Sequence, residues 1–121
     1  MDIIHTCLNV TDMDESLAFY TEELGLEETW GFTREDTENR YVQADNGIEI
    51  QLASTEGVDD VDVGDAWDHL AITVDDLDAT LEAVDHYGLV QGPLDVDAAD
   101  ARVAFIEDPD GHVLELVQPL G

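Results

Sequence analysis

The stretch NGIEIQL, residues 46–52, returns 64 residues later as DGHVLEL, residues 110–116. In each copy an Asn-Gly or Asp-Gly pair precedes a run in which Ile50 and Leu52, or Leu114 and Leu116, alternate with other side chains. That pattern is a tight hairpin turn feeding a strand with one apolar face. The same shift carries the match back to the start of the chain. His5 falls on His69, Val10 on Val74, Asp12 on Asp76, Asp14 on Asp78, Ser16 on Thr80 and Leu17 on Leu81. A fixed internal period means two copies of one supersecondary unit. Their bounds are residues 1–54 and 66–121, joined by an acidic linker at 55–65 that could also serve as an edge strand.

Each copy reads in the same order. Alternation over Ile3 to Val10 and over His69 to Val74 predicts a first strand, and the Asp that follows is a helix cap. Leu17, Tyr20 and Leu24 predict a helix closed by Gly25; Leu77, Leu81 and Val84 predict one closed by Gly88. Further strands end in the Asn46-Gly47 and Asp110-Gly111 turns. The expected fold is therefore α+β, with two tandem βαβββ modules in a single domain of 121 residues.

Composition limits what such a domain can do. Thirty-one Asp and Glu stand against three Arg and no Lys, a net charge of −28, while 44% of residues are hydrophobic. The apolar content builds a core and leaves the acids as a solvated shell. Phosphate backbones and anionic lipids are repelled by this charge, which excludes nucleic-acid and membrane partners. The lack of Lys points to a halophile's salt-screened cytoplasm. The sequence has no apolar run of membrane-spanning length and no basic segment ahead of an apolar one, so neither a span nor a signal peptide is expected. Cys7 stands alone, and no intrachain disulfide is expected.

Strand alternation decides where the repeated polar residues point. His5 shares a face with Ile3 and Cys7, Gln51 with Glu49 and Ala53, and Glu115 with Val113 and Val117. A carboxylate within a strand as apolar as VLELV needs a cation beside it, and this chain has only Arg34, Arg40 and Arg102 to offer. A metal ion is an economical partner. His5 and Gln51 stand 46 positions apart, as do His69 and Glu115, so each copy offers one imidazole and one oxygen from equivalent places. Mixed nitrogen and oxygen donors suit Zn²⁺ or Ni²⁺ first, with Co²⁺, Mn²⁺ and Fe²⁺ as other candidates.

At these residues the chain resembles the vicinal oxygen chelate superfamily, which includes glyoxalase I, methylmalonyl-CoA epimerases, extradiol dioxygenases and the fosfomycin and bleomycin resistance proteins. The segment IHTCLNVTDMDESLAFYTEELGL (4–26) is similar to the family's opening His strand and helix, and FIEDPDGHVLELVQ (105–118) to its closing hairpin and Glu strand. GVDDVDVGDAWDHLAITV (57–74) is similar to the approach to the second ligand His in bacterial glyoxalase I. The resemblance implies an open, cup-shaped β-sheet, usually completed in a homodimer. It makes His5, Gln51, His69 and Glu115 the ligands of a divalent metal, with Glu115 and Gln51 at the catalytic centre and Glu115 as the base. The implied reaction isomerises the hemithioacetal of a 2-oxoaldehyde and a thiol to a 2-hydroxyacyl thioester, through an enediolate. Where that family has a basic residue four positions after the first His, this chain has Asn9, and Thr55 stands where bacterial enzymes often have Asn; the thiol is therefore left open. The alternatives are an epimerase-like enzyme, an extradiol dioxygenase-like enzyme, and a non-catalytic small-molecule binding protein.

Among the remaining candidates, His86 and His112 are expected at the solvent. Cys7 is expected to be a buried inert thiol, with a place in the cavity as the alternative. Trp30, Phe32 and Trp67 are expected to wall a pocket, fill the core or line a dimer interface.

Overall fold

The aspartates that end the first strand-like run of each copy both cap helices. Asp12 Oδ1 accepts from the Glu15 N–H and Asp76 Oδ1 from the Ala79 N–H, each at 3.1 Å, satisfying one of the donors that a helix start leaves free. The computed structural model describes residues 1–121. It divides into two units, Met1–Asp62 and Val63–Gly121.

In the first unit strand β1 is His5–Asn9, helix α1 is Met13–Ala18, β2 is Glu27–Arg34, β3 is Thr37–Gln43 and β4 is Glu49–Thr55. In the second, β5 is Leu70–Thr73, α2 is Leu77–Ala83, β6 is Leu89–Val96, β7 is Ala101–Glu107 and β8 is Val113–Pro119. The sheets have orders β1-β4-β3-β2 and β5-β8-β7-β6. In each, the outermost first strand runs parallel to the last strand and the other pairs are antiparallel. This is βαβββ twice, as the repeat predicts. The segment between β4 and β5 carries no strand, so the edge-strand reading of the linker falls away.

Each sheet buries the face that alternation assigns to the core. Val42, Leu52, Ile106, Leu114 and Leu116 have no exposed surface, and fully burying an aliphatic side chain of this kind contributes roughly 1.5–3 kcal/mol. The helices cover these faces, with Tyr20 and Leu77 also wholly buried. The helix details differ from expectation. Helix α1 widens into a π-helical turn at Phe19–Glu23, and its buried residues include Met13, Ser16 and Phe19, while Leu17 and Leu24 are half-buried. Gly25, at φ +78°, supplies the left-handed residue that closes it. Gly88 does not play that part: α2 ends at Ala83, where Val84 turns extended at φ −81°, ψ 128°.

The two repeated turns are also wider than a two-residue hairpin. The Ala44 N–H donates to the Ile48 carbonyl and the Asp108 N–H to the His112 carbonyl, both at 3.0 Å. Three residues lie in each loop, and only the glycines, Gly47 and Gly111, have positive φ. A three-residue loop needs its left-handed residue at the last position, which is where each glycine stands.

Candidate functional site

Register places the four predicted residues. Cys7 pairs with Gln51 and His5 with Glu49 across β1 and β4, so His5 and Gln51 project from one face of the sheet as diagonal neighbours. That face is opposite the one carrying Leu8, Ile50 and Leu52. Tyr41 on β3 sits directly across from Gln51, and the His5 ring meets it edge-on, with centroids 5.6 Å apart and planes at 82°. The second unit repeats this geometry. Phe105 on β7 is opposite Glu115 on β8, and the ring of His69, just before β5, meets Phe105 edge-on at 5.4 Å and 86°. Tyr41 and Phe105 are themselves 64 positions apart. The identical shift would have found this aromatic pair in the sequence had it been carried through the middle strands.

The second unit brings its two predicted ligands into contact. His69 Nε2 lies 3.2 Å from Glu115 Oε1, with the Glu115 side chain 20% exposed. His69 Nδ1 contacts the Asp68 carboxylate. A proton held on Nδ1 by Asp68 leaves a lone pair on Nε2, the state an imidazole ligand needs, and second partners of this kind orient ligating histidines. The donors present therefore fit a divalent cation. In the first unit the Gln51 amide is held from behind: its Nε2 donates to Asn39 Oδ1 at 2.8 Å. No group of three or more His, Cys, Asp or Glu side chains is placed to hold a metal ion; each unit presents one of the predicted imidazoles and one of the predicted oxygen donors.

Around His5 and Gln51 the same face is aromatic. Trp30 stacks on Tyr41 with centroids 4.2 Å apart and planes at 5°, and Phe32 stacks on Trp30 at 5.6 Å and 22°. Trp30 is 51% and Phe32 42% exposed, so these two lie on the open face of the sheet rather than fill the core. Cys7 is exposed there as well, contrary to the expected buried thiol, because its side chain follows His5 onto the open face. Partial desolvation still pushes the thiol up. A β-bulge between Glu28 and Trp30 lets the Thr29 hydroxyl donate to Glu49 Oε2 at 2.6 Å.

His112 does not stand at the solvent. It is buried beside Asp108, whose Oδ1 accepts from the backbone N–H groups of Asp110 and His112 at 3.0 and 2.9 Å. Asp108 Oδ2 also lies 2.9 Å from His112 Nδ1. The position after a turn suggested solvent, but a carboxylate buried to satisfy turn N–H groups takes the imidazole in with it. His86 is half-buried rather than exposed, and its Nδ1 accepts from the Gly88 N–H at 3.2 Å.

Two βαβββ units, each presenting a histidine and an oxygen donor at equivalent places, define a β-sheet protein built by duplication. Residues 2–116 match the Glyoxalase/Bleomycin resistance protein/Dioxygenase superfamily, and the chain belongs to that family. Within it, the chain is 36% identical to the probable lactoylglutathione lyase of Vibrio cholerae, over 96% of this chain and 89% of that protein. It is 38% identical to the lactoylglutathione lyase of Haemophilus influenzae, over 98% and 93%. Among solved structures, maize glyoxalase I superposes with a TM-score of 0.87 at 27% identity, covering 98% of this chain. This chain spans 45% of the maize chain, about half its length. No helix is long and apolar enough to cross a membrane.

Proposed function

We propose that the protein is a glyoxalase I-type enzyme that converts the hemithioacetal of a 2-oxoaldehyde and a thiol into a 2-hydroxyacyl thioester. The observation that carries this reading is the His69–Glu115 pair, 3.2 Å apart and matched in the first unit by His5 and Gln51. The four would hold one divalent ion, Zn²⁺ or Ni²⁺ by donor type, whether they come from one chain or from two in a homodimer. When bound, such an ion supplies Lewis-acid polarisation of the substrate's adjacent oxygens.

The proton chemistry belongs to Glu115. Its carboxylate takes the proton from the thiol-bearing carbon and delivers it to the neighbouring carbon, while the hydroxyl proton passes to the neighbouring oxygen. One C–H bond breaks and another forms, and no electrons leave the substrate. Gln51 cannot accept a proton at neutral pH, so it holds and Glu115 reacts. Thiol choice is a separate matter. Asn9 and Thr55 line a cleft with Asp60 and Asp62, which supports a thiol bearing fewer carboxylates than glutathione. The acidic composition supports work in a salt-rich cytoplasm.

The test is thioester formation by metal-reconstituted protein, with methylglyoxal and a panel containing glutathione and smaller, less charged thiols. Turnover with at least one thiol, faster with a smaller one than with glutathione, is the expected result. No turnover with any thiol after loading with Zn²⁺, Ni²⁺, Co²⁺, Mn²⁺ or Fe²⁺ would overturn the assignment.

A further inference from the structure

A glutamine ligand has a difficulty that a glutamate does not. Its amide has two prongs of nearly equal shape, and only the oxygen can approach a cation; the NH₂ repels it. Unless something sets the amide's orientation, part of the population presents the wrong atom. In the first unit the hydrogen bonds decide the matter in sequence. The Thr37 carbonyl can only accept, and Asn39 Nδ2 donates to it across 3.5 Å. This turns Asn39 Oδ1 toward β4, where it accepts from Gln51 Nε2 at 2.8 Å. With Nε2 engaged, Oε1 is the prong left for a ligand. Asn39 is 6% exposed, so water competes little for these bonds.

The second unit lacks the device. The position 64 residues after Asn39 is Val103, which is 4% exposed and has no side-chain hydrogen-bonding atom. Its ligand is a carboxylate, whose two oxygens are equivalent and need no sorting, and which must also move if it is to carry a proton. The tether is present where the ligand is an amide and absent where it is a carboxylate.

We propose that Asn39 is a positioning residue that fixes the Gln51 amide with its oxygen toward the metal; the inference rests on the reading of Gln51 as a ligand. It is tested by a double-mutant cycle on the full chain, titrating Zn²⁺ and Ni²⁺ calorimetrically into the wild type, Asn39→Val, Gln51→Glu and the double variant. Asn39→Val should weaken metal binding by about tenfold or more when residue 51 is Gln, the usual size of an outer-shell effect. With Gln51→Glu the same substitution should change binding by less than about threefold, because a carboxylate needs no sorting. Equal losses in both backgrounds, or no loss in either, would overturn the proposal. Should Asn39→Val fail to fold, Asn39→Ala goes through the same cycle. A second readout needs no metal: the Gln51 side-chain NH₂ resonances of the metal-free protein should move on Asn39→Val, and unchanged resonances would overturn the tether itself. If the wild type binds neither ion while those resonances do move, the ligand reading fails and the tether stands without its proposed purpose.

Discussion

Glu115 and Gln51 occupy equivalent strand positions, yet only one of them can exchange a proton. Glu115→Gln should therefore leave folding and most metal binding in place while lowering turnover by about 10²–10⁴-fold, the usual contribution of a positioned general base. A variant retaining more than about a tenth of wild-type turnover would remove Glu115 from that role. The buried Asp108 acts on stability instead. Losing its acceptor oxygens leaves the turn N–H groups and the His112 ring without their partner, so Asp108→Ala should cost about 1–3 kcal/mol in denaturant unfolding. A second stability effect follows from the ligand face, where desolvation first, then the Cys7 and Glu49 charges, raise the Tyr41 phenol, and desolvation raises Cys7. Both groups ionise more readily unfolded, so the stability they contribute is complete below their unfolded values and is lost as pH rises above them, from about 9 for Cys7 and about 10 for Tyr41. Tyr41→Phe, which copies Phe105, should flatten that alkaline decline; an unaltered decline would assign it elsewhere. At this scale the repeat singles out His5, Gln51, His69 and Glu115 as candidates because each has a chemically similar counterpart. Asn39 was not legible, since its counterpart is Val103 and a hydrogen bond between strands leaves no local pattern.

At the scale of elements, most of the fold could be read because each signal was short-range. The Asp12 and Asp76 caps, the turn glycines and the two-residue alternation of β4 and β8 are set by neighbours along the chain. What failed depended on tertiary packing. Helix α1 gains a π-helical turn where Phe19 and Tyr20 are both buried, and α2 stops at Ala83 well short of Gly88. The outer strands follow their own constraint. A Cβ at Gly31 would lie 2.6 Å from the Asn39 carbonyl oxygen, and one at Gly92, at φ +93°, 2.7 Å from the Val103 carbonyl oxygen. These are backbone atoms that cannot swing aside. Gly31→Ala and Gly92→Ala should each destabilise by about 1–3 kcal/mol through displacement of β2 from β3 and of β6 from β7. Thermal unfolding checks this, and an unchanged midpoint would mean that the outer strands are freer than their close approach implies.

For the molecule as a whole, charge and duplication set the behaviour. Arg40 is held between Glu28 and Glu38 at 2.8 and 3.0 Å, and Arg102 between Asp78 and Asp95 at 3.2 and 3.0 Å. Two of the three Arg are thus each shared by two carboxylates, and three Arg cannot neutralise 31 acidic side chains. The Debye length shrinks from about 10 Å at 0.1 M to about 3 Å at 1 M salt, so the unfolding midpoint should climb steeply to molar KCl and then flatten. A midpoint indifferent to KCl would remove the halophilic reading and leave the metal chemistry standing. In the proposed function both halves of the duplicated chain would serve one metal centre. This is tested most directly by the metal content of untagged protein, after dialysis against Zn²⁺ or Ni²⁺, for the wild type, each of His5→Ala and His69→Ala, and the double variant. About one ion per chain is expected in the wild type, with a large loss in either single variant and essentially none in the double variant. Full occupancy in the double variant would contradict it.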